Sequence, residues 1–227
     1  MQIEKTHEIA EAETHTAESD LIVNSLKKAG YKMLGQGADA TVWSKEQGQI
    51  VKIIMPDEES TDAAATFKAF YEFCRAHQDL ECLPKFYASE GQPYLEFKLG
   101  GKTYTQVTME QLRHLRRNTF AEAMAYMLSE YCTENIPWNQ VVERLSEIET
   151  WNRNGEFSDL AAKLAPRVQR MTKIESAKFS VLYSVMKLLY LTGRINRYGW
   201  DLHTENIMQR QDGTLVITDP WFSIFKD

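Results

Sequence analysis

Two neighbouring segments, Tyr198-Gly-Trp-Asp-Leu-His-Thr-Glu-Asn-Ile207 and Leu215-Val-Ile-Thr-Asp-Pro220, decide the fold of this chain. Asp201 and Asn206 frame D-x-x-x-x-N in the first segment, and Asp219 ends the short apolar run of the second. An Asp-Gly dipeptide between them is typical of a hairpin turn, because it supplies the positive φ angles that tight turns need. The sequence therefore predicts loop, strand, turn and strand, with three polar side chains at one end of a hairpin.

Such a set of side chains suits phosphoryl transfer. One Asp can orient an attacking hydroxyl, while an Asn and a second Asp hold magnesium on the phosphates. Asn206 follows Asp201 by 5 positions and Asp219 follows it by 18, so a tight loop and a hairpin can bring all three together. Any single Asp in a loop is more simply a cap or a turn former. The hypothesis therefore depends on a joint match with residues elsewhere in the chain.

Length and composition limit the class of protein. With 227 residues, 43% of them hydrophobic, the chain forms one large domain or two small lobes around a cleft. The net charge of −6 argues against a nucleic-acid partner. Cys74, Cys82 and Cys132 form no C-x-x-C pair, which favours a reducing cytoplasm. Because no apolar segment approaches the ~18 residues of a membrane span, we expect a cytoplasmic protein that contacts no membrane.

The first half of the chain predicts a small sheet with two helices. Residues 1–17 are polar and acidic, and we expect a mobile tail. A helix capped by Ser19 or Asp20 should end at Gly30, and a second helix should run over residues 61–77. Strands are predicted over residues 31–34, 42–44, 50–54, 85–88 and 93–98.

The second half predicts helices. Leu99-Gly-Gly101 is a predicted hinge, because paired glycines weaken any element that crosses them. Thr108 and Gln111 resemble a capping box, so a helix should follow to about Cys132. Further helices are predicted over residues 137–151, 158–169 and 174–191. Gly193 is predicted to close the last of them.

The predicted fold class is α+β, with two lobes. A small antiparallel sheet should occupy residues 18–100, after the tail of residues 1–17. A helical lobe over residues 101–227 should carry the hairpin with the polar side chains.

Upstream residues could bring a triphosphate to this hairpin. Gly35-Gln-Gly37 lies between predicted strands, where glycines let backbone N–H groups approach phosphate, although a plain turn has the same composition. Lys52 interrupts an otherwise apolar strand. It either faces water on an edge strand or places a point charge on the phosphates. Glu72 on the next helix could pair with Lys52 or could simply be a solvated helix charge.

Taken together, these residues resemble the protein kinase-like superfamily. The resemblance puts Asp201 in the position of the catalytic base, and Asn206 and Asp219 in the metal-binding positions. Lys52 then corresponds to the ion-paired lysine, with Glu72 as its partner. The nucleotide-binding residues that the resemblance implies are Gly35, Gln36, Gly37, Ala38, Val42, Lys52 and Glu96.

A closer resemblance is to the early serine/threonine protein kinases of T-seven-type bacteriophages. The matching segments are residues 29–37, 73–75, 201–208 and 217–220, whereas residues 105–175 match no motif. The resemblance implies an ATP- and Mg²⁺-dependent kinase that transfers the γ-phosphoryl group to Ser or Thr hydroxyls of host proteins. It also implies that the protein works in the host cell cytoplasm.

Several positions depart from the family pattern. Gly199-Trp200 replaces the usual His-Arg before the catalytic Asp, and Asp219-Pro-Trp221 replaces D-F-G. His203 stands where a lysine near the γ-phosphate is usual, and a histidine is only partly charged near neutral pH. The chain ends at Asp227, without room for an activation segment or an A-P-E element. We therefore expect a C-terminally abbreviated kinase-like fold.

Two other functions use similar residues. Small-molecule kinases of the aminoglycoside or choline type share D-x-x-x-x-N and a later Asp, and an acidic pocket would favour them. A non-catalytic module could instead bind a nucleotide or sequester a partner. The intact set of Lys52, Asp201, Asn206 and Asp219 argues against that reading.

Overall fold

The computed structural model describes residues 17–37, 40–44, 48–56, 63–88, 93–115 and 173–223, together with the single positions 125, 140 and 143. The predicted helices over residues 137–151 and 158–169 lie outside the described residues, except that Gln140 and Glu143 are helical. The predicted tail lies outside them as well, apart from position 17.

The described secondary structure is as follows. The helices are α1 (Ala17–Lys28), α2 (Ala63–Ala76) and α3 (Lys173–Ile195). The strands of the first half are β1 (Lys32–Gln36), β2 (Ala40–Ser44), β3 (Gln49–Ile54), β4 (Tyr94–Leu99) and β5 (Lys102–Glu110). The short strands near the C-terminus are β6 (Tyr198–Trp200), β7 (Ile207–Gln209), β8 (Leu215–Ile217) and β9 (Trp221–Ser223), with a 3-10 turn over Thr204–Asn206.

A five-stranded antiparallel sheet with the order β1-β2-β3-β5-β4 forms the first half. The central strand is β3, so the edge-strand explanation for Lys52 is wrong. Directly paired residues in such a sheet point to the same face. Lys52 therefore shares a face with Val42 on one side and Val107 on the other.

The two faces of the sheet are covered by different helices. Trp43 and Tyr104 belong to a buried cluster on one face, against which Leu26 of α1 packs. On the other face, Phe67 and Phe70 of α2 join the larger core. Because both faces are covered, β3 is apolar on both sides from Ile50 onward except at Lys52.

The predicted hinge at Leu99-Gly-Gly101 is wrong. Gly100 and Gly101 have φ of 58° and 81°, and Leu99 pairs with Lys102, so these glycines form the tight turn of the β4–β5 hairpin. β5 then continues to Glu110, which places Thr108 in a strand and not at a helix cap. The segment 102–108 is rich in threonine, tyrosine and valine, which favour strands. Residues 102–110 thus belong to the sheet and not to a helical lobe.

Smaller differences concern element ends. The predicted strand over residues 85–88 is reduced to one bridge between Phe86 and Met109. α1 begins at Ala17, so Ser19 lies inside it and does not cap it. Gly193 also lies inside a helix, where a Cβ would come within 2.7 Å of the Trp221 indole nitrogen. That glycine is explained by close packing and not by helix termination.

The α+β class predicted from the sequence is confirmed, with a small antiparallel sheet, helices and the C-terminal hairpin. α3 runs over the predicted helix of residues 174–191, and Gly30 follows α1 with a φ of 87° as expected for a C-terminal cap. No helix among the described ranges is long and apolar enough to cross a membrane.

Candidate active site

The hairpin predicted around the polar residues is present. β7 and β8 pair antiparallel with Ile207 opposite Ile217, and both side chains are buried. Gly213 has a φ of 91°, and the Asp212 carboxylate accepts a 2.9 Å hydrogen bond from the backbone N–H of Thr214. The turn therefore uses the Asp-Gly chemistry expected from the sequence.

Asn206 joins the two loops at the end of this hairpin. Its Nδ2 donates to the carbonyl oxygens of Asp201 at 2.7 Å and Asp219 at 2.8 Å. The same nitrogen lies 3.3 Å from Oδ2 of Asp201. Because the amide nitrogen makes these bonds, the amide oxygen of Asn206 is the atom left to bind a cation. The backbone of Asp201 is fixed in turn by a 2.8 Å bond to the carbonyl of Pro220.

Lys52 reaches this cluster from the sheet. Its Nζ lies 2.7 Å from Oδ2 of Asp219, across 167 positions of sequence, and its side chain is 17% exposed. The ammonium also lies 4.4 Å from the ring centre of Phe67, in cation–π geometry. The structure thus brings Lys52, Asp201, Asn206 and Asp219 together.

Glu72 does not partner Lys52. It is exposed on α2, whereas Phe67 of the same helix faces Lys52. Five residues turn an α-helix by about 140°, so the two side chains lie on different faces. The Glu72 charge is felt instead at Tyr94, where burial above all, with smaller contributions that include this charge, raises the pKa of the phenol. The ion pair that the resemblance implied is replaced by the pair with Asp219.

His203 lies beside Asp201. Its Nε2 is 3.8 Å from Oδ2 of Asp201, and its Nδ1 accepts a 3.3 Å bond from the backbone N–H of Glu205. A neutral imidazole that accepts at Nδ1 carries its proton on Nε2. The ring therefore presents a donor toward the Asp201 carboxylate.

The glycine segment lies at the edge of the sheet. Gly35 and Gln36 are part of β1, and the N–H of Gly37 bonds to the carbonyl of Ala40 at 2.8 Å. A Cβ at Gly35 would meet nothing within 4 Å, and one at Gly37 only the Ala40 oxygen at 3.9 Å. Local packing therefore does not explain these glycines. Ala38, also predicted to bind nucleotide, lies outside the described residues.

Two other predicted nucleotide-binding residues have different surroundings. Val42 is directly opposite Lys52 in the sheet, next to the cluster. Glu96 is exposed on the edge strand β4, where it pairs with Lys68 at 3.6 Å and the Tyr94 hydroxyl donates to it at 3.3 Å. Glu96 does not line the cavity beside Lys52.

A cavity of about 240 Å³ lies between the sheet, α2 and the loops that flank the hairpin. The sheet side and α2 contribute Lys52, Ile54 and Phe67, and the C-terminal segment contributes Asp201, Asp219 and Trp221. One cation and two carboxylates thus face a partly apolar space. This arrangement can position a phosphate group and a divalent cation beside an oxygen base.

Trp221 is a structural residue that the sequence reasoning missed. Its indole contacts Phe70 and Phe73 of α2 edge-on and stacks on Tyr198, with ring centres 5.5–5.9 Å apart. Its Nε1 donates to the carbonyl of Leu189 at 3.1 Å. Two positions after Asp219, it fixes that loop between α2 and α3. A large aromatic residue directly after Asp-Pro was the available sequence signal.

No protein-family profile matches this sequence, and no curated protein matches it. Among solved structures, a microcompartment-associated aminopropanol kinase is similar at 11% identity with a TM-score of 0.39, covering 88% of this chain and 69% of that one. An amicoumacin kinase in complex with AMP-PNP and Ca²⁺ is similar at 12% identity with a TM-score of 0.40, covering 90% and 64%. An aminoglycoside phosphotransferase from Alicyclobacillus acidocaldarius is similar at 16% identity with a TM-score of 0.35, covering 84% and 62%.

The chain thus spans less than two thirds of the length of the amicoumacin kinase and of the aminoglycoside phosphotransferase. At these identities and TM-scores the likenesses carry no argument about activity. The functional assignment therefore depends on the side chains of this chain.

Proposed function

We propose that this chain is an ATP- and Mg²⁺-dependent phosphotransferase. The observation that carries the proposal is the 2.7 Å contact between Lys52 on the central strand and Asp219 after the hairpin, with Asn206 tying Asp219 to Asp201. A cation and two carboxylates from distant segments line one cavity, and the Asn206 amide bonds to the backbone of both carboxylate residues. A purely structural ion pair would not need the neighbouring amide and second carboxylate.

The oxygen atoms of Asn206 and Asp219 fit Mg²⁺, which prefers oxygen ligands and keeps several waters or phosphate oxygens. No group of three or more His, Cys, Asp or Glu residues suited to a metal occurs in the described part of the chain. Asn206 and Asp219 would therefore hold the cation together with oxygens of the nucleotide phosphates. When bound, it neutralises charge that develops on the transferred group.

Each remaining residue has a separate proposed role. Asp201 accepts the proton of the acceptor hydroxyl and orients it, and His203 holds the Asp201 carboxylate. Lys52 leaves Asp219 for the phosphates when the metal nucleotide binds. Gly37 and the neighbouring backbone cover the phosphates. Catalysis then consists mostly of positioning and charge stabilisation.

For the acceptor, we propose a Ser or Thr hydroxyl of a protein, with host proteins as the substrates that the bacteriophage resemblance implies. A second candidate is a small cationic alcohol. It is favoured by the two partly exposed carboxylates at the cavity, Asp201 and Asp219, at 41% and 36% exposure.

One experiment tests the activity and the acceptor together. The purified chain and its Asp201→Ala variant are incubated with γ-labelled ATP and Mg²⁺, in one arm with bacterial lysate and in another with a panel of aminoglycosides and amino alcohols. Label on proteins that Asp201→Ala abolishes supports the protein kinase, and label on a small molecule supports the second candidate. Absence of any transfer by the wild-type chain contradicts the phosphotransferase proposal, and α-labelled ATP reveals an AMP transferase.

A further inference from the structure

A second ion pair lies away from the cavity, at the turn end of the β7–β8 hairpin. Arg210 directly follows β7, and its Nε and Nη2 donate to the two carboxylate oxygens of Glu110 at 2.8 and 2.6 Å. The side chains are only 14% and 9% exposed. The guanidinium therefore meets the carboxylate in the two-pronged geometry that only arginine provides.

The same two side chains also bind the loop after α2. Arg210 donates further hydrogen bonds to the carbonyl oxygens of Glu81 and Leu83, the latter at 2.8 Å. Glu110 accepts a 2.8 Å bond from the backbone N–H of Lys85. The Cys82 carbonyl, between the two acceptors, takes a 2.9 Å bond from Ile217 on β8. Three consecutive carbonyls of this loop thus accept hydrogen bonds from the hairpin.

The backbone after β5 joins the hairpin as well. Arg113 and Gln209 exchange N–H to carbonyl bonds of 2.9 and 2.8 Å. Glu110 ends β5 and pairs with Gln49 of β3, the strand that carries Lys52. At the other end, Arg210 is four positions after Asn206. Strand pairing, the Glu110–Arg210 pair and the short strand β7 therefore connect the Lys52 strand to Asn206 without crossing the cavity.

We propose that Arg210 and Glu110 are positioning residues, whose pair holds the hairpin against the end of β5 so that Asn206 and Asp219 keep the spacing a metal nucleotide needs. The inference rests on the proposed function of the same site. In the native protein, the hydrogen bonds of this buried pair are nearly all satisfied. Removal of one partner would leave the other as an uncompensated buried charge. The hydrogen bonds that Arg210 donates to Glu110, together with the charge of that carboxylate, raise the pKa of Arg210 above its ordinary value, so the guanidinium stays charged.

The test compares Mg²⁺ affinity with stability. Arg210→Lys keeps the charge but loses the two-pronged bond, and Arg194→Met removes an exposed arginine as the control. Mg²⁺ is titrated by calorimetry into each protein with a saturating non-hydrolysable ATP analogue. Residues that orient metal ligands typically change metal affinity by about 10–100-fold, so we expect a shift of about 10-fold for Arg210→Lys and none for Arg194→Met. This readout requires no turnover.

A merely structural pair gives a different result. In that case Arg210→Lys lowers the melting temperature but leaves the Mg²⁺ affinity of the folded protein unchanged, which overturns the proposal. If Arg210→Lys does not fold, Glu110→Gln, which keeps the shape of the side chain, is expected to show the same Mg²⁺ shift, and an unchanged affinity there overturns the proposal equally. If the wild-type chain binds the Mg²⁺ complex but transfers no phosphate, the proposed activity fails while the positioning role is still measured. If it binds no Mg²⁺ complex, both fail.

Discussion

The two sides of the candidate site are held in place by different means. On the hairpin side, Asn206 fixes Asp201 and Asp219 through hydrogen bonds between residues at most 13 positions apart. On the sheet side, Lys52 is placed by strand pairing with a segment more than fifty positions away and by the ring of Phe67. One side is specified by local spacing and turn chemistry, and the other by register and packing. Substitutions on the two sides should therefore have different effects on activity and stability.

The largest effect is expected on the hairpin side, at Asp201. Its side chain is 41% exposed, so Asp201→Ala should leave the fold intact. Loss of a positioned base costs about 10²–10⁴-fold in rate, and we expect kcat for phosphoryl transfer to fall by that amount while ATP binding persists. Steady-state kinetics with calorimetry of nucleotide binding measures both. Asp79→Ala, at an exposed carboxylate outside the site, is the control. A fully active Asp201→Ala enzyme would contradict the assignment of the base.

Lys52→Met probes the sheet side. The ammonium is the one cation lining the cavity among the described residues, and removal of one preorganised charge or donor costs about 10²–10³-fold. Lys68→Met is the matched control, because Lys68 forms an exposed pair with Glu96 at 3.6 Å. We expect kcat/KM for ATP to fall by about 10²-fold or more in Lys52→Met and to change little in Lys68→Met. Equal losses in the two variants would mean that Glu96 and its surroundings bind the nucleotide after all.

Asn206→Ala should affect stability as well as activity. Its amide nitrogen satisfies the carbonyls of Asp201 and Asp219, and an unsatisfied part-buried acceptor costs about 1–3 kcal/mol. The free energy of unfolding, measured by urea denaturation, should fall by that amount. Asn196→Ala is matched to it, because the Asn196 amide makes one exposed 2.8 Å bond to the Thr192 carbonyl. A loss no larger than that of Asn196→Ala would show that Asn206 does not hold the hairpin together.

The same contrast explains what could be predicted from the sequence. The hairpin and its three polar residues follow from D-x-x-x-x-N, an Asp-Gly turn and an apolar run, all of them local. The alternating residues of β5 were overlooked because Gly100 and Gly101 suggested a hinge, and only pairing with β3 and β4 shows that they form a turn. The partner of Lys52 could not be read from spacing, because the rotation of α2 against the sheet is set by core packing.

The contact between the loop after α2 and the hairpin should make the stability of the protein sensitive to alkaline pH. Cys82 lies in the loop whose carbonyls bind the hairpin, and burial above all raises the pKa of its thiol from 9.0 to about 11. A folded-state pKa above the unfolded one gives stability that is fully present below about pH 9 and is lost as the pH rises toward 11. Two pKa units correspond to about 2.7 kcal/mol. Urea denaturation at pH 8 and pH 10.5 should show a smaller loss in Cys82→Ala than in wild type, and equal losses would contradict this role.

The smallest effect is expected at Glu72, where the resemblance to kinases and the structure disagree. If Glu72 holds Lys52, Glu72→Gln should lower activity nearly as much as Lys52→Met. Because Glu72 is exposed and Lys52 pairs with Asp219 at 2.7 Å, we expect instead a change within about twofold, as for other surface substitutions. Asp219→Asn, measured in the same kinetic assay, supplies the comparison. A large loss in Glu72→Gln would mean that α2 turns toward Lys52 when the nucleotide binds, and that the sheet side is less fixed than the hairpin side.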